Sequence, residues 1–479
     1  MEHAGLHERV DLGLVSGPRP RPRQARLALT EPHRQVARAL QIHQHPVEVL
    51  REAHVVHRLL ADDHAGLEQQ GQSHHRSHRS SLAVGHRPGT AASPRSATWA
   101  PGGVVVREAG VGEAAVVDPF LEAVDALGRE IRADVSAADL EHLRRIERWG
   151  RACTALGWAT AWLGPNLVSA ALIAQGRTTR WTTVAHHVCH QGYARVPGRA
   201  PRDARTGFAR GWRRRLHWFD VIEPDGWHAE HNVLHHGRTG DEADPDVVED
   251  NLRWLRVSDL PQPVKLALVA LLASTWKWIY YAPNTLQEAM AVEARARGES
   301  FERRSLSDPA VWGPHSPIGR RLWGRSLLPY AVWNFVLAPA LFLPLGPLAV
   351  GSAAANSALA ELLTNLHTFL IIVTNHAGDD LYAFEGPPAD RSDFVRRQVT
   401  GSVDCRTGGD LNDFLHGWLN YQIEHHVWPD LTLLQYRKAQ PRLKALCEEH
   451  GVPYVQESVW RRLKRTTDIM TGRTSMLRG

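Results

Sequence analysis

Apolar and charged residues recur at three-to-four spacing between positions 119 and 149, in FLEAVDALGREIRADVSAADLEHLRRIERW, a period that predicts surface helices. The stretch from Asp134 to Asp139 interrupts the pattern, and Ser136 supplies an N-cap for the second helix. His142 falls on the charged face of that helix and reads as a solvated residue. Four segments then turn apolar on all sides: 152–175, 262–283, 327–350 and 352–374. No charged side chain occurs between Ser326 and Ala360, and LPLGPLAVGS alone breaks this run. A membrane-crossing helix needs roughly 20 such residues, so 327–374 predicts a spanning helical hairpin. Trp323, Tyr330 and Trp333 mark its first interface. GPN at 164–166 predicts that 152–175 forms a short hairpin of its own. Segment 262–283 has a short apolar run and ends in the interfacial signature TWKWIYYAPN, so it is expected to lie along or dip into the membrane. The loop 284–326 carries seven Arg against five acids, which places it on the cytoplasmic side of a cell membrane.

The fold class that follows is an all-α integral membrane protein, with transmembrane helical hairpins and a cytosolic helical cap. Composition changes this picture at one end of the chain. No Phe, Tyr or Trp precedes Trp99, although the 479 residues include 17 Trp, 10 Phe and 8 Tyr. A segment rich in Arg, His, Pro and Ser without aromatics cannot bury enough apolar surface to offset chain entropy. Residues 1–103 therefore read as a disordered or non-native leader, and Val104 to Val106 as an alternative start. Twelve of the 28 His lie in residues 1–100 without helical spacing, so a metal-binding tail is the weaker reading there. Cytosolic helices at 104–150, a membrane domain at 151–460 and a C-terminal tail at 461–479 complete the division. Four Cys, at 153, 189, 405 and 447, are too dispersed for a disulfide scaffold. A net charge of +5 without a basic stripe excludes nucleic acid as partner.

Candidate chemistry lies in the remaining His, which fall into three boxes. AHHVCHQGY holds His186, His187 and His190; HAEHNVLHH holds His228, His231, His235 and His236; NYQIEHHVWP holds Gln422, His425 and His426. On an α-helix His186 and His190 share a face, as do His231 and His235, with His236 turned by about 100°. Gln422, His425 and His426, at i, i+3 and i+4, again share one face. Clustered neutral imidazoles suit iron, zinc or copper. Three boxes give more nitrogen ligands than a tetrahedral zinc requires, so two metals are expected. His187 stands off the ligand face and reads as a supporting residue, while His228 and His416 remain open. Cys189 reads as a small buried filler, and Arg213 to Arg215, with Trp212 and Trp218, as an interfacial helix. Glu361, inside an apolar stretch, predicts a partner that sequence does not identify.

The order HxxxH, HNxxHH and QxEHH, with TGDEADPDVV after the second box and GWLNYQIEHHVWPD around the third, resembles the membrane fatty acid desaturases over about 119–460. The Gln of the third box is similar to the front-end and bacterial acyl-lipid branches. The resemblance implies two Fe ions held by His186, His190, His231, His235, His236, His425 and His426. It adds His376, at the end of the hairpin's return helix, whose ring Asp379 and Asp380 would then hold; His367, nine residues earlier, points elsewhere. It implies dioxygen-dependent desaturation of a membrane lipid or acyl thioester. Hydroxylation or ketolation of a hydrocarbon or carotenoid by the same scaffold is the alternative, and a metal transporter is the reading from another class. The chain shows no GxGxxG turn in a strand–helix context, no CxxC pair and no HPGG signature, so a separate ferredoxin or cytochrome with its reductase is the expected electron donor. Arg391, Arg396, Arg397, Arg461, Arg462 and Arg465 would suit an acidic donor.

Overall fold

A computed structural model describes residues 118–479. The leader, its His-rich tract and the start at Val104 lie outside the described residues. Helix α1 (Pro119–Ala133) begins where the Asp118 side chain accepts from Phe120 N at 3.0 Å and Pro119 occupies the first turn. Its apolar stripe of Phe120, Val124, Leu127 and Ile131 is buried, as the spacing requires. Helix α2 (Ala137–Thr160) starts at Ser136, whose backbone N–H donates to the Asp139 carboxylate at 2.9 Å. His142 is not solvated. Its ring is 4% exposed and edge-on to Trp418 at 5.2 Å, because the loop around Trp418 closes over a face that sequence periodicity left open.

The chain reverses through a 3-10 turn and Gly164, whose φ of 129° favours glycine, into α3 (Leu167–Thr178). This is the expected short hairpin at GPN. Backbone groups of its turn are satisfied by Asn356, which donates to the carbonyls of Ala161 and Gly164, both at 2.8 Å. Farther on, α4 (Gln262–Trp276) packs along the hairpin's return helix and continues through a π-helical turn at Lys277–Tyr281 into α5 (Ala282–Ala296). Residues 327–350 do not form one helix. The first arm is helical without a gap from Pro317 to Ala340, with π turns at Leu322–Leu327 and Trp333–Leu337 near Pro329 and Pro339, and it then ends in a 3-10 turn at Pro344 and Gly346, where φ is 96°. Helix α6 (Pro347–Ile372) returns unbroken. Among the described residues one helix, Pro347–Asn375, is long and apolar enough to cross a membrane. Leu156, Leu163, Leu167, Val336, Leu341 and Leu348, on the two hairpins, are largely exposed, a concentration of bare apolar side chains that water does not reward.

Glu361 of α6 has the partners its position demanded. Its carboxylate accepts from Arg177 at 3.1 Å, the Tyr330 hydroxyl at 2.6 Å and Trp278 Nε1 at 2.9 Å. The expected interfacial helix at Arg213–Arg215 is only a short turn; Trp212 is exposed, but Trp218 is buried against Trp227.

After α6 come β1 (Tyr382–Ala383), α7 (Arg391–Thr400), α8 (Gln422–Val427), α9 (Leu433–Glu449), α10 (Val459–Thr471) and β2 (Leu477–Arg478). β1 and β2 pair in parallel, Tyr382 opposite Leu477, the only named strands among the described residues. Residues 461–479 are therefore no loose tail. Arg462 is fully buried and donates to Asp380 at 2.6 Å and to the Ala377 carbonyl at 3.0 Å, because a guanidinium supplies enough donors to close a loop from inside.

Candidate metal centre

The first two His boxes sit on strained local structure. Box one follows a π-helical turn at Thr179–Ala185, and box two is itself such a turn, His228–His235. A π turn inserts a residue into the helix and rotates the side chains after it, a device common at functional sites. Box one ends at Gln191, whose φ of 68° is costly for a side-chain-bearing residue and swings the chain away after His190. Gly192 follows because a Cβ there would meet the Leu431 carbonyl at 2.6 Å.

These turns bring the boxes together. His186, His190, His231 and His425 each place a ligand atom within 4.8 Å of the others, a spacing that can hold a metal ion; so do His235, His376 and His426. His236 stands between the sets, its ring 4.6 Å from that of His190 and stacked at 4.3 Å on that of His426. Sequence spacing put His231 with His235 and His425 with His426. The rings are neighbours, yet each pair divides between the two sets. His231, His235 and Asp246 form a third, overlapping group.

Donor chemistry fits metal ions. Nε2 of His190, His231 and His426, and both ring nitrogens of His236, find no hydrogen-bond partner among the described residues. His186 and His425 turn their Nε2 atoms toward each other at 2.9 Å, a contact in which one must lack a proton. Burial holds His186, His190, His231, His236, His425 and His426 well below the ordinary imidazole value. It also brings His376 down to about 3. Neutral rings with free lone pairs are what a cation requires.

Remote residues fix the far side of each ring. His235 Nδ1 is 2.9 Å from Asp244, whose charge outweighs burial and raises this one imidazole. His425 Nδ1 meets the Tyr436 hydroxyl at 3.1 Å, and His426 Nδ1 meets Gln398 at 3.0 Å. Such contacts set tautomer and orientation. Asp244, Gln398 and Tyr436 were missed from sequence. A hint for Asp244 lay in the acidic run after box two, whereas nothing local marked the other two.

Several expectations need correction. Asp379 and Asp380 do not hold His376: they pair with Arg465 and Arg462, while His376 Nδ1 lies 3.2 Å from the Gly401 carbonyl and Nε2 2.8 Å from Gln422. His187 is buried beside the site and donates to the Thr183 carbonyl at 2.7 Å, its ring lowered to about 4 by burial. His228 and His416 lie outside both sets, as does His367, which meets the Leu415 carbonyl at 2.7 Å. Cys189 is buried, its thiol pushed up to about 12 by desolvation, which suits a filler. The arginines proposed for docking are largely neutralised: Arg391 by Asp125, Arg396 by Asp118, Arg397 by Asp393, Arg462 by Asp380 and Arg465 by Glu457. Charge counting along the chain could not see acids from other elements.

Against known proteins, the profile of the family described as fatty acid desaturase matches residues 156–458, well over half of the chain and all three boxes. The chain belongs to the fatty acid desaturase family. This desaturase-family chain is 26% identical over 238 residues to an acyl-lipid (8-3)-desaturase of Physcomitrium patens, covering 48% of this chain and 46% of the relative. It is 36% identical over 88 residues to Delta(8)-fatty-acid desaturase 2 of Arabidopsis thaliana, 18% of each chain. Over 103 residues it is 32% identical to a Delta(8)-fatty-acid desaturase of Helianthus annuus, 22% of this chain and 21% of the relative. The matched stretches thus span from about a fifth to just under half of these relatives' length.

Proposed function

We propose that this member of the fatty acid desaturase family inserts a double bond into a lipid acyl chain, using dioxygen and two iron ions. The observation that carries the reading is the pair of imidazole sets bridged by His236, with unpartnered ring nitrogens of His190, His231, His236 and His426 gathered at one centre. His186, His190, His231 and His425 would hold one iron, His235, His376 and His426 the other, with His236 between them. Iron held there would supply the oxidant that an unactivated methylene requires; the two hydrogens lost from the acyl chain, with two electrons from a donor and two protons, account for reduction of dioxygen to two waters. The chain's residues do the rest. Asp244, Tyr436 and Gln398 orient rings, and Gln422 positions His376 through a contact of 2.8 Å. Trp227, stacked on His231 at 4.7 Å, and Trp218 behind it exclude water from the centre.

The exposed apolar hairpins lie in the membrane, with the boxes on the cytoplasmic side beside the Arg-rich 284–326 loop. Electrons arrive from a separate ferredoxin or cytochrome. Fatty-acid profiling of cells expressing the full chain tests the reading: a new unsaturated acyl species is expected. Hydroxylated or ketolated products, or an unchanged profile with iron loaded, would overturn it. Purified enzyme should turn over only when a donor protein and its reductase accompany NAD(P)H.

A further inference from the structure

Between the two hairpins lies a cleft of about 360 Å³ that takes no part in the metal centre. One end is apolar: Trp158 and Phe342, from facing hairpins, stack with centroids 6.3 Å apart, and Leu341 closes the wall. The other end is cationic, formed by Arg177, Arg180 and Asn334. Two of the lining residues, Trp333 and Leu341, are also exposed on the apolar surface, so the cleft reaches that surface.

The charges around this cleft do not balance. Arg177 is satisfied by Glu361, Asn334 and Ser357, and the buried Lys277 by Asp220 at 2.8 Å. Arg180, lining the cleft, makes no hydrogen bond or ion pair among the described residues. A guanidinium stays charged at any physiological pH and carries five donors in a planar fork. Placed against aromatic walls it calls for an anion, and a phosphate accepts two parallel bonds from such a fork. The volume holds only about a dozen water-sized groups, so a bound molecule must extend through the mouth into the surrounding hydrocarbon.

We propose that this cleft is a binding site for an anionic phospholipid, with the headgroup phosphate on Arg180 and the start of one acyl chain against Trp158 and Phe342. The site is separate from the proposed reaction and stands whether or not that reading holds. It also explains why an unpaired cation is retained in an apolar layer whose other cations are matched.

Lipid binding to the full-length, metal-loaded protein in nonionic detergent tests this, read by native mass spectrometry and by the thermal midpoint. Phosphatidylglycerol should be retained at one molecule per chain and raise the midpoint. Phosphatidylcholine, oleate and inorganic phosphate should not. Arg180→Gln should weaken phosphatidylglycerol binding by about tenfold or more, the scale of a lost charge-assisted pair, and Arg180→Lys should retain part of it. Without lipid, Arg180→Gln should melt higher than wild type, because a charge without a partner has gone. Leu341→Trp, at an exposed wall position, should block binding by filling the apolar end. Equal phosphatidylglycerol binding by R180Q and L341W would overturn the proposal. Protection by inorganic phosphate alone would reduce the site to a simple anion site, and equal binding of oleate would remove the phosphate assignment.

Discussion

In the hairpin layer, Glu361 accepts from Arg177, Tyr330, Trp278 and Asn365, so both carboxylate oxygens are matched inside the apolar region. In the histidine layer, His190, His231, His236 and His426 each keep at least one ring nitrogen unmatched, and these rings converge with His186, His235, His376 and His425. Both layers bury polar atoms at a cost. The first offsets it internally and acts as structure. The second leaves it open and is complete only with a ligand. Unmatched donors and acceptors that converge on a point therefore separate a site from a scaffold better than burial or charge does.

The largest test of this contrast is removal of an imidazole. Replacing His231, His235, His425 or His426 by Ala should abolish desaturation and lower bound iron, with membrane insertion unchanged. An Ala variant with normal product and iron would take that residue out of the metal set. Glu361→Ala should act the opposite way. It strands Arg177 and should cost about 3–5 kcal/mol in detergent unfolding, while iron per folded molecule stays the same. Loss of iron at unchanged stability would show that the two layers are not separate. Asp244→Asn should weaken iron binding by about 10–100-fold, since it perturbs His235 without removing a ligand; metal titration would read this directly.

The smallest effect concerns His142, a buried ring outside both sets with neither nitrogen hydrogen-bonded. Burial, with Arg145 and Arg437 adding to it, holds it at about 4, against 6.5 for an ordinary imidazole. Below pH 6.5 the unfolded chain takes up a proton that the folded ring refuses until about pH 4, so stability is lost as pH falls through that window. His142→Phe should flatten this part of the melting profile and differ from wild type by within about 1 kcal/mol at pH 8. An unchanged slope would mean that the ring titrates normally.

Much of the histidine layer was legible because a ligand pair four residues apart is a local fact of helix geometry. His186 with His190, and the clustering of the three boxes, needed no knowledge of the fold. The division of His231 from His235 and of His425 from His426 was not legible, because it depends on π turns and on the approach of distant elements. Gln398 and Tyr436 are marked only by where α7 and α9 pack. The hairpin turn at GPN could be read from its residues, but not its satisfaction by Asn356, nearly two hundred positions later. Arg177 as partner of Glu361 was hidden in the same way. His142 failed for the converse reason: helical periodicity saw a charged face and could not see Trp418 cover it.

Arg462 and Thr466 both donate to the Ala377 carbonyl, the residue after His376. Helix α10, which carries them, is synthesised after every histidine of the two sets. While the chain is being made, boxes one and two can reach their places beside the inserted hairpins before the loop at His376 has its clamp. The loop that carries His376 is thus clamped only by the last helix of the chain, so the His235, His376 and His426 set is fixed in place only once α10 has been made and has docked.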